Sequence, residues 1–254
     1  LGMPHQYRDP RFEGMAEAMH AIMPEAEIYA QTGIKTNFYN SSLHLLAEAR
    51  GNSPALANAA NLLFVPDLLA YWLTGRQAVE RTIASTSQLL DPSNGNWAWS
   101  VIDALGLPRG IFGEVVAPGT LLGPLRSEVG KFIGRADIPV VATACHDTAA
   151  AVAGIPMGGG ATLWLSSGTW SIMGVEAAQP ILTPGALELG FCNELGVADT
   201  VRFLKNISGL WLIQECKRQW ELDGQKLSYA EMAALASAAP AFTAFIDPDD
   251  ARFA

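Results

Sequence analysis

The sequence predicts a mixed α/β fold, and two stretches carry most of that prediction. In residues 140–154, an apolar run that begins with Val140 and Val141 stops at His146-Asp147-Thr148, and small helix-forming residues follow. β-Branched residues favour strands and alanines favour helices, so this pattern is typical of a strand-to-helix turn. In residues 161–175, two apolar runs flank Ser167-Gly168-Thr169, as in a β-hairpin. Open α/β sheets bind ligands at the carboxyl ends of strands, so the first turn is the candidate site.

Helices are predicted where apolar residues recur every three or four positions between a capping residue and a Gly or Pro. In the first part of the chain these patterns place helices at 9–23, 27–32, 40–51, 56–61, 66–75 and 97–106. Leu68, Leu69 and Trp72 are expected to pack inward. Repeated Gly and Pro residues predict a loop over 111–134.

The carboxyl-terminal part is predicted to begin at a flexible joint. Residues 155–160 combine Pro156 with three glycines, and we place the boundary between domains 1–157 and 158–254 there. Residues 188–201 are predicted to be irregular, and 205–220 to form one amphipathic helix with Asn206 as its cap. Ser228 is expected to cap a last helix over 231–239.

Composition and charge exclude several classes of partner. The chain has 254 residues, of which 50% are hydrophobic and 16% charged, enough for one large domain or parts of two. A formal net charge of −9 with 16 Lys and Arg residues argues against nucleic acid or an anionic membrane surface, which need clustered basic residues. The sequence shows no apolar run long enough to span a membrane and no signal-peptide pattern, so neither is expected.

The cysteines predict neither a disulfide framework nor a metal site. Cys145, Cys192 and Cys216 are widely spaced and form no metal-ligand pattern, which indicates a reducing, cytoplasmic location. Cys145 is adjacent to His146, so a thiol nucleophile is one alternative. Adjacent strand residues point to opposite faces, and a packed cysteine is therefore expected instead.

Three motifs in order resemble the FGGY carbohydrate kinase family: His146-Asp147-Thr148-Ala149, residues 165–171 and residues 203–215. Residues 7–11, 28–34, 66–75 and 118–120 also resemble that family, so the likeness covers essentially the whole chain. The resemblance implies two ribonuclease-H-like (actin/hexokinase-type) α/β domains that face each other across a cleft. Residues 1–157 would be the later part of the sugar-binding domain, and 158–254 the early part of the nucleotide-binding domain.

The resemblance also implies an activity and the residues that perform it. The reaction would be ATP-dependent phosphorylation of a ketose, in particular of L-rhamnulose to L-rhamnulose 1-phosphate, with Mg²⁺ and with Asp147 as general base. The partners would be small molecules, and the sequence does not indicate an oligomeric state. The residues implied to touch the sugar are His146, Asp147, Thr148, Asn206 and Arg8, and those near the nucleotide are Gly168, Thr169 and Gln214.

Most of these residues also have an ordinary structural interpretation. Asp147 or Thr148 could serve only as a helix N-cap, and Gly168 only in a hairpin turn. Asn206 would ordinarily be a cap, Gln214 a surface residue and Arg8 part of a surface ion pair.

Two departures from the family pattern leave other functions open. Leu43-His44 stands where the family tends to carry a Tyr-Gln pair, so a different ketose or a polyol could be the substrate. The glycine-rich phosphate loop and adenosine motif of the family are absent from this sequence. We therefore expect it to be an internal fragment that is inactive alone, or else a sugar-binding protein without catalysis.

Overall fold

The computed structural model describes Gln6, residues 9–135, 137–157 and 162–247, and Asp250. Arg8, one of the predicted sugar ligands, lies outside these residues. The chain divides into two compact units. Unit 1 comprises Leu1–Thr162 and Val175–Leu204, and unit 2 comprises Leu163–Gly174 and Lys205–Ala254.

Helices and short strands alternate along the described residues. The helices are α1 (Met15–Ile22), α2 (Glu25–Thr32), α3 (Ser41–Arg50), α4 (Pro54–Ala57), α5 (Val65–Thr74), α6 (Arg81–Ala84), α7 (Trp99–Ala104), α8 (Ser127–Ile133), α9 (Asp147–Ala153), α10 (Pro184–Glu188), α11 (Trp211–Leu222) and α12 (Tyr229–Ala238). Short 3₁₀ turns lie at Pro10–Phe12, Ser85–Ser87 and Arg109–Ile111. The strands are β1 (Val79–Glu80), β2 (Leu90–Asp91), β3 (Asn96–Trp97), β4 (Val115–Val116), β5 (Leu121–Pro124), β6 (Pro139–Val141), β7 (Leu163–Ser167), β8 (Trp170–Ala177), β9 (Cys192–Leu195) and β10 (Val201–Ser208).

The predicted helix ends are confirmed where a Gly or a capping side chain determines them. α2 and α5 end at Gly33 and Gly75, which have φ angles of 68° and 81° in the left-handed region that glycine adopts readily. Ser228 and Glu231 form a capping box at the start of α12. Local chemistry therefore determines these boundaries.

The strands pair in four sets. β1 and β4 are parallel, β2 pairs with β3, β5 pairs with β6, and a four-stranded sheet has the order β7–β8–β10–β9. β9 and β10 are antiparallel, with Arg202 directly opposite Glu194. This register places two charged side chains next to each other in unit 1.

Several regions differ from the sequence predictions. The helix predicted over 56–61 is the single turn α4, which ends at Ala57. The predicted loop over 111–134 contains β4, β5 and α8, and the predicted irregular region over 188–201 contains β9. The predicted helix over 205–220 is instead the end of β10 followed by α11, so Asn206 lies in a strand and not at a helix cap. Two- to four-residue strands form through pairing with distant segments, and local periodicity is a weak guide to them.

The hydrophobic core of unit 1 is built by α1, α2, α3, α7 and the short strands between them. Its largest fully buried apolar side chains are those of Met19, Ile28, Leu43, Leu46, Leu89, Leu90 and Ile102. The expectation that Leu69 and Trp72 pack inward is wrong, because these side chains are 51% and 49% exposed. Across the described part of the chain, the helices are all too short or too polar to cross a membrane.

Gly33 lies against β9, and this contact can be tested with a matched pair of glycines. A Cβ at Gly33 would lie 2.7 Å from Asn193 Cβ, whereas a Cβ at Gly106 would meet no atom within 4 Å. The two have nearly the same φ, 68° and 67°, so Ala costs about 1–2 kcal/mol of backbone strain at each position. We expect Gly33→Ala to lower the free energy of unfolding by about 1–3 kcal/mol more than Gly106→Ala, as measured by urea unfolding. Equal losses in the free energy of unfolding for the two variants would show that β9 moves away from residue 33 at no energetic cost.

Candidate functional site

The candidate site begins where α9 starts. β6 ends at Val141, His146 is the N-cap of α9, and Asp147 is its first residue, so the predicted strand-to-helix turn is confirmed. The Asp147 side chain is 96% exposed, and its Oδ1 accepts a hydrogen bond of 2.7 Å from the Thr148 backbone N–H. Thr148 is buried, with its hydroxyl 3.4 Å from the same oxygen. One carboxylate is thus presented to solvent with its orientation fixed by its neighbour.

The backbone before Asp147 is held by a buried glutamate. Glu80 Oε2 accepts a 3.0 Å hydrogen bond from the Cys145 N–H, and Thr82 Oγ1 accepts one of 3.2 Å from the His146 N–H. Glu80 also caps α6, accepting from the Thr82 N–H at 2.9 Å. Both Glu80 and Thr82 are fully buried. The start of α6 therefore fixes the peptides that lead into α9.

A second buried carboxylate, that of Asp67, fixes the backbone of Glu80. Asp67 Oδ1 accepts from the Glu80 N–H at 3.0 Å, and its Oδ2 accepts from the Phe64 N–H at 3.3 Å. Burial raises the pKa of Asp67 to about 6, although these two hydrogen bonds favour the ionised form. Asp67 thereby joins the start of α5 to β1.

The His146 ring contacts a buried ion pair. Its Nδ1 lies 2.9 Å from Arg202 Nη2 and 3.2 Å from Glu194 Oε2, and these two side chains are themselves joined at 2.9 Å. On the other side, His146 Nε2 lies 3.5 Å from Asp147 Oδ1. Burial alone would raise the pKa of Glu194, but the charge and the hydrogen bond of Arg202 favour the ionised form, and that pKa is lowered to about 2. Glu194 is consequently an anion in the core.

Cys145 is poorly suited to be a nucleophile. Burial, together with the nearby carboxylates of Glu80 and Asp67, raises the pKa of its thiol to about 11. The thiolate that nucleophilic attack requires is therefore scarce near neutral pH. This environment favours a packed cysteine over a reactive one.

The other predicted site residues lie in unit 2. Gly168 and Thr169 form the turn between β7 and β8, as the hairpin prediction requires. The Gly168 carbonyl accepts from the Leu210 N–H at 2.9 Å and the Thr169 carbonyl from the Trp211 N–H at 3.2 Å, which ties the hairpin tip to the start of α11. Gln214 lies in the first turns of α11, and Asn206 is half-buried on β10.

The predicted residues therefore form two groups. His146, Asp147 and Thr148 lie together in unit 1, whereas the hairpin tip and the start of α11 lie together in unit 2. The buried side chains around His146 belong to Glu80, Thr82, Glu194 and Arg202, and none of the four was predicted from the sequence. The one available signal was a Glu and an Arg placed symmetrically on either side of the turn at 196–200, within apolar runs.

Family models match nearly all of the chain. The model for the N-terminal domain of the FGGY family of carbohydrate kinases matches residues 5–154, and the model for the C-terminal domain matches residues 163–254. A rhamnulokinase from Bacteroides thetaiotaomicron is 41% identical over 254 residues, covering 100% of this chain and 52% of the relative. A rhamnulokinase from Enterococcus faecalis is 39% identical over 253 residues, with 100% and 50% covered. The chain spans about half the length of these relatives.

Solved structures share the fold. The ligand-bound xylulose kinase of Lactobacillus acidophilus superposes with a TM-score of 0.78 at 16% identity, covering 93% of this chain and 47% of that one. The glycerol kinase of Plasmodium falciparum with ADP gives a TM-score of 0.74 at 16% identity, covering 95% and 50%. The predicted ribonuclease-H-like fold of the actin/hexokinase type, in parts of two domains, is confirmed.

The elevated pKa of Asp67 predicts a pH-dependent stability with a defined sign. The unfolded chain releases this proton near pH 3.9, whereas the folded chain holds it to about pH 6. The stabilisation is therefore fully present below pH 4 and is lost as the pH rises through 6. We expect the free energy of unfolding of the wild type, relative to Asp67→Asn, to fall by an amount on the order of 2 kcal/mol between pH 4 and pH 7.

Urea unfolding at several pH values measures this difference. Asp103→Asn is the control, because the hydrogen bond from Arg109 lowers the pKa of the exposed Asp103 and the sign is opposite. A difference between wild type and Asp67→Asn that stays flat or rises with pH would contradict the prediction.

Proposed function

Because the chain belongs to the FGGY family of carbohydrate kinases, we propose that the protein containing it transfers a phosphoryl group from ATP to a hydroxyl group of L-rhamnulose. The product is L-rhamnulose 1-phosphate. The choice of sugar is supported by the full-chain similarity to rhamnulokinases at 39–41% identity. The single observation that carries the catalytic assignment is the exposed carboxylate of Asp147 on a rigidly held turn.

In this proposal Asp147 is the general base. Phosphoryl transfer needs a group that orients the attacking hydroxyl and accepts its proton, within about 3 Å of the hydroxyl oxygen. The Asp147 carboxylate is accessible, and the hydrogen bond from the Thr148 N–H fixes one of its oxygens. A hydroxyl that approaches Asp147 also meets His146 Nε2, since the two groups are 3.5 Å apart.

The proposed sugar ligands are His146, Asp147, Thr148, Asn206 and Arg8. The burial of Thr148 and its hydroxyl contact with Asp147 give it a part in orienting the base. The division into a sugar-binding domain, 1–157, and a nucleotide-binding domain, 158–254, is likewise a proposal. It is supported by the separate family-model matches at 5–154 and 163–254.

The proposed nucleotide contacts are Gly168, Thr169 and Gln214. The Gly168 N–H already donates to the Trp170 carbonyl at 3.0 Å, so Thr169 would supply the donor to the γ-phosphate. Mg²⁺ would neutralise phosphate charge and enter with ATP, since no group of His, Cys, Asp and Glu side chains among the described residues is arranged to hold a metal ion. ATP and the free thiols of the chain both fit a cytoplasmic location.

Asp147→Asn tests the general base. The amide keeps the size and a hydrogen-bonding oxygen but cannot accept the proton, so we expect kcat to fall by about 100- to 10,000-fold with little change in sugar affinity. The measurements are coupled kinase assays and calorimetry with L-rhamnulose, on the longest reading frame that carries this segment. Asp103→Asn is the matched control, an exposed Asp paired with Arg109. Full activity of Asp147→Asn would refute the assignment.

A ketose panel tests the substrate. We expect the highest kcat/KM with L-rhamnulose, because the relatives named as rhamnulokinases match this chain along its whole length. L-Xylulose, D-xylulose and D-ribulose serve as comparisons of the same chemical class. A tenfold preference for one of them would replace the sugar in the proposal and leave the kinase assignment intact.

A further inference from the structure

We propose that Glu194 and Arg202 are positioning residues that hold the His146 ring in one orientation and one tautomer, with the Nε2–H directed toward the substrate hydroxyl at Asp147. Neither residue touches the substrate in this assignment, and both act through His146. The proposed consequence for sugar binding rests on the kinase function given above. The assignment of the tautomer does not.

The cross-strand pair explains how the ring is held. Arg202 and Glu194 are directly opposite on β10 and β9, and the Arg202 side chain is 0% exposed. Their contact at 2.9 Å fixes both side chains, and His146 Nδ1 lies within 3.2 Å of both. The three groups come from three elements, all within unit 1.

Hydrogen-bond chemistry then selects the tautomer. A guanidinium carries only donors and stays protonated, so the 2.9 Å contact between Arg202 Nη2 and His146 Nδ1 is a hydrogen bond only if Nδ1 carries the lone pair. The neutral ring then has its proton on Nε2, which faces Asp147 Oδ1 at 3.5 Å. The opposite tautomer would donate from Nδ1 to Glu194 at 3.2 Å and turn the Nε2 lone pair toward a carboxylate. One ring nitrogen lone pair lies near a carboxylate in either arrangement, and the shorter contact, which is with the Arg202 cation, favours the first.

Stabilisation of the fold does not by itself explain why Glu194 and Arg202 are buried as an ion pair. A buried ion pair is expensive to desolvate and can often be replaced by apolar side chains without loss of stability. Among the described residues, Arg202 Nε and Nη1 have no hydrogen-bond partner, and such buried donors are costly. The third nitrogen, Nη2, contacts His146, Glu194 and the Leu195 carbonyl. The Arg202 side chain thus makes its hydrogen bonds through the nitrogen that contacts the His146 ring.

Nuclear magnetic resonance of ¹⁵N-histidine-labelled protein tests the tautomer directly. The chain contains four histidines, and the His146 signals are those lost in His146→Ala. At pH 8, where an ordinary histidine is neutral, we expect the wild type to show the neutral form protonated at Nε2. A neutral ring protonated at Nδ1, or a ring still doubly protonated, would overturn the proposal. This result does not depend on turnover, so it is distinguishable from a failure of the kinase assignment.

A double-mutant cycle tests the functional consequence. We expect Arg202→Met, which removes the donor to Nδ1 and leaves Glu194 as an acceptor beside it, to favour the tautomer protonated at Nδ1. We expect the same substitution to lower kcat/KM for the sugar at least tenfold, through KM more than kcat, in the longest reading frame. In a His146→Ala background the same substitution should have no further effect, whereas a purely structural role would give the same loss in both backgrounds. Additive losses would therefore refute the proposal.

Asn193→Ala is the matched control. Asn193 is the neighbour of Glu194 on β9, and its side chain contacts Tyr29 and Ile181 rather than His146. It should reduce stability but leave kcat/KM and the tautomer unchanged. If Arg202→Met does not fold because Glu194 is left uncompensated, Arg202→Met with Glu194→Leu removes both charges and leaves no donor at Nδ1. Retention of a pure Nε2–H form in that double variant would overturn the proposal.

Discussion

The geometry of the candidate site depends on the buried carboxylate of Glu80. It caps α6 and accepts a hydrogen bond from the peptide that precedes His146, so one side chain joins two segments that are 65 residues apart in sequence. Its own backbone is held by Asp67 at the start of α5. An ionisable group inside a protein is stable only when its lone pairs are satisfied, and here backbone and hydroxyl donors satisfy them. Loss of the hydrogen bonds to the Glu80 carboxylate would loosen the turn that presents Asp147.

Asp147 and His146 are adjacent in sequence, but their surroundings suit them to different roles. Asp147 is exposed and can meet a substrate, whereas His146 is backed by Glu194 and Arg202 in the core. A base must be accessible, and a hydrogen-bonding group is more effective when its ring is fixed before the substrate arrives. The turn therefore combines an accessible carboxylate with an imidazole whose orientation is fixed by buried side chains.

The comparisons and the geometry support different parts of the proposed function. Family membership and the similarity to rhamnulokinases support the reaction class and the sugar. The geometry supports the roles of particular residues, since it places Asp147 at the surface and gives His146 its buried contacts. The expected departure from the family pattern at Leu43-His44 leaves other ketoses open, and the ketose panel tests them. Leu43 itself is buried in the core of unit 1.

The sequence by itself determined the elements whose ends are local. Gly33 and Gly75 end helices because only glycine adopts a left-handed φ without strain, and Ser228 with Glu231 forms a cap within four residues. The turn at His146-Asp147-Thr148 and the hairpin at Gly168 were predictable for the same reason. Motif order was sufficient for the family.

Only the tertiary structure decided what depends on distant partners. β9 and the true extent of β10 follow from strand pairing, and so Asn206 lies in a strand rather than at a helix cap. The contacts of His146 with Glu194 and Arg202, and of the Cys145 peptide with Glu80, join residues 48 to 65 positions apart, and no local pattern encodes them. Burial and hydrogen bonding fix the positions of these charged side chains. Burial is a property of the folded chain and not of the local sequence.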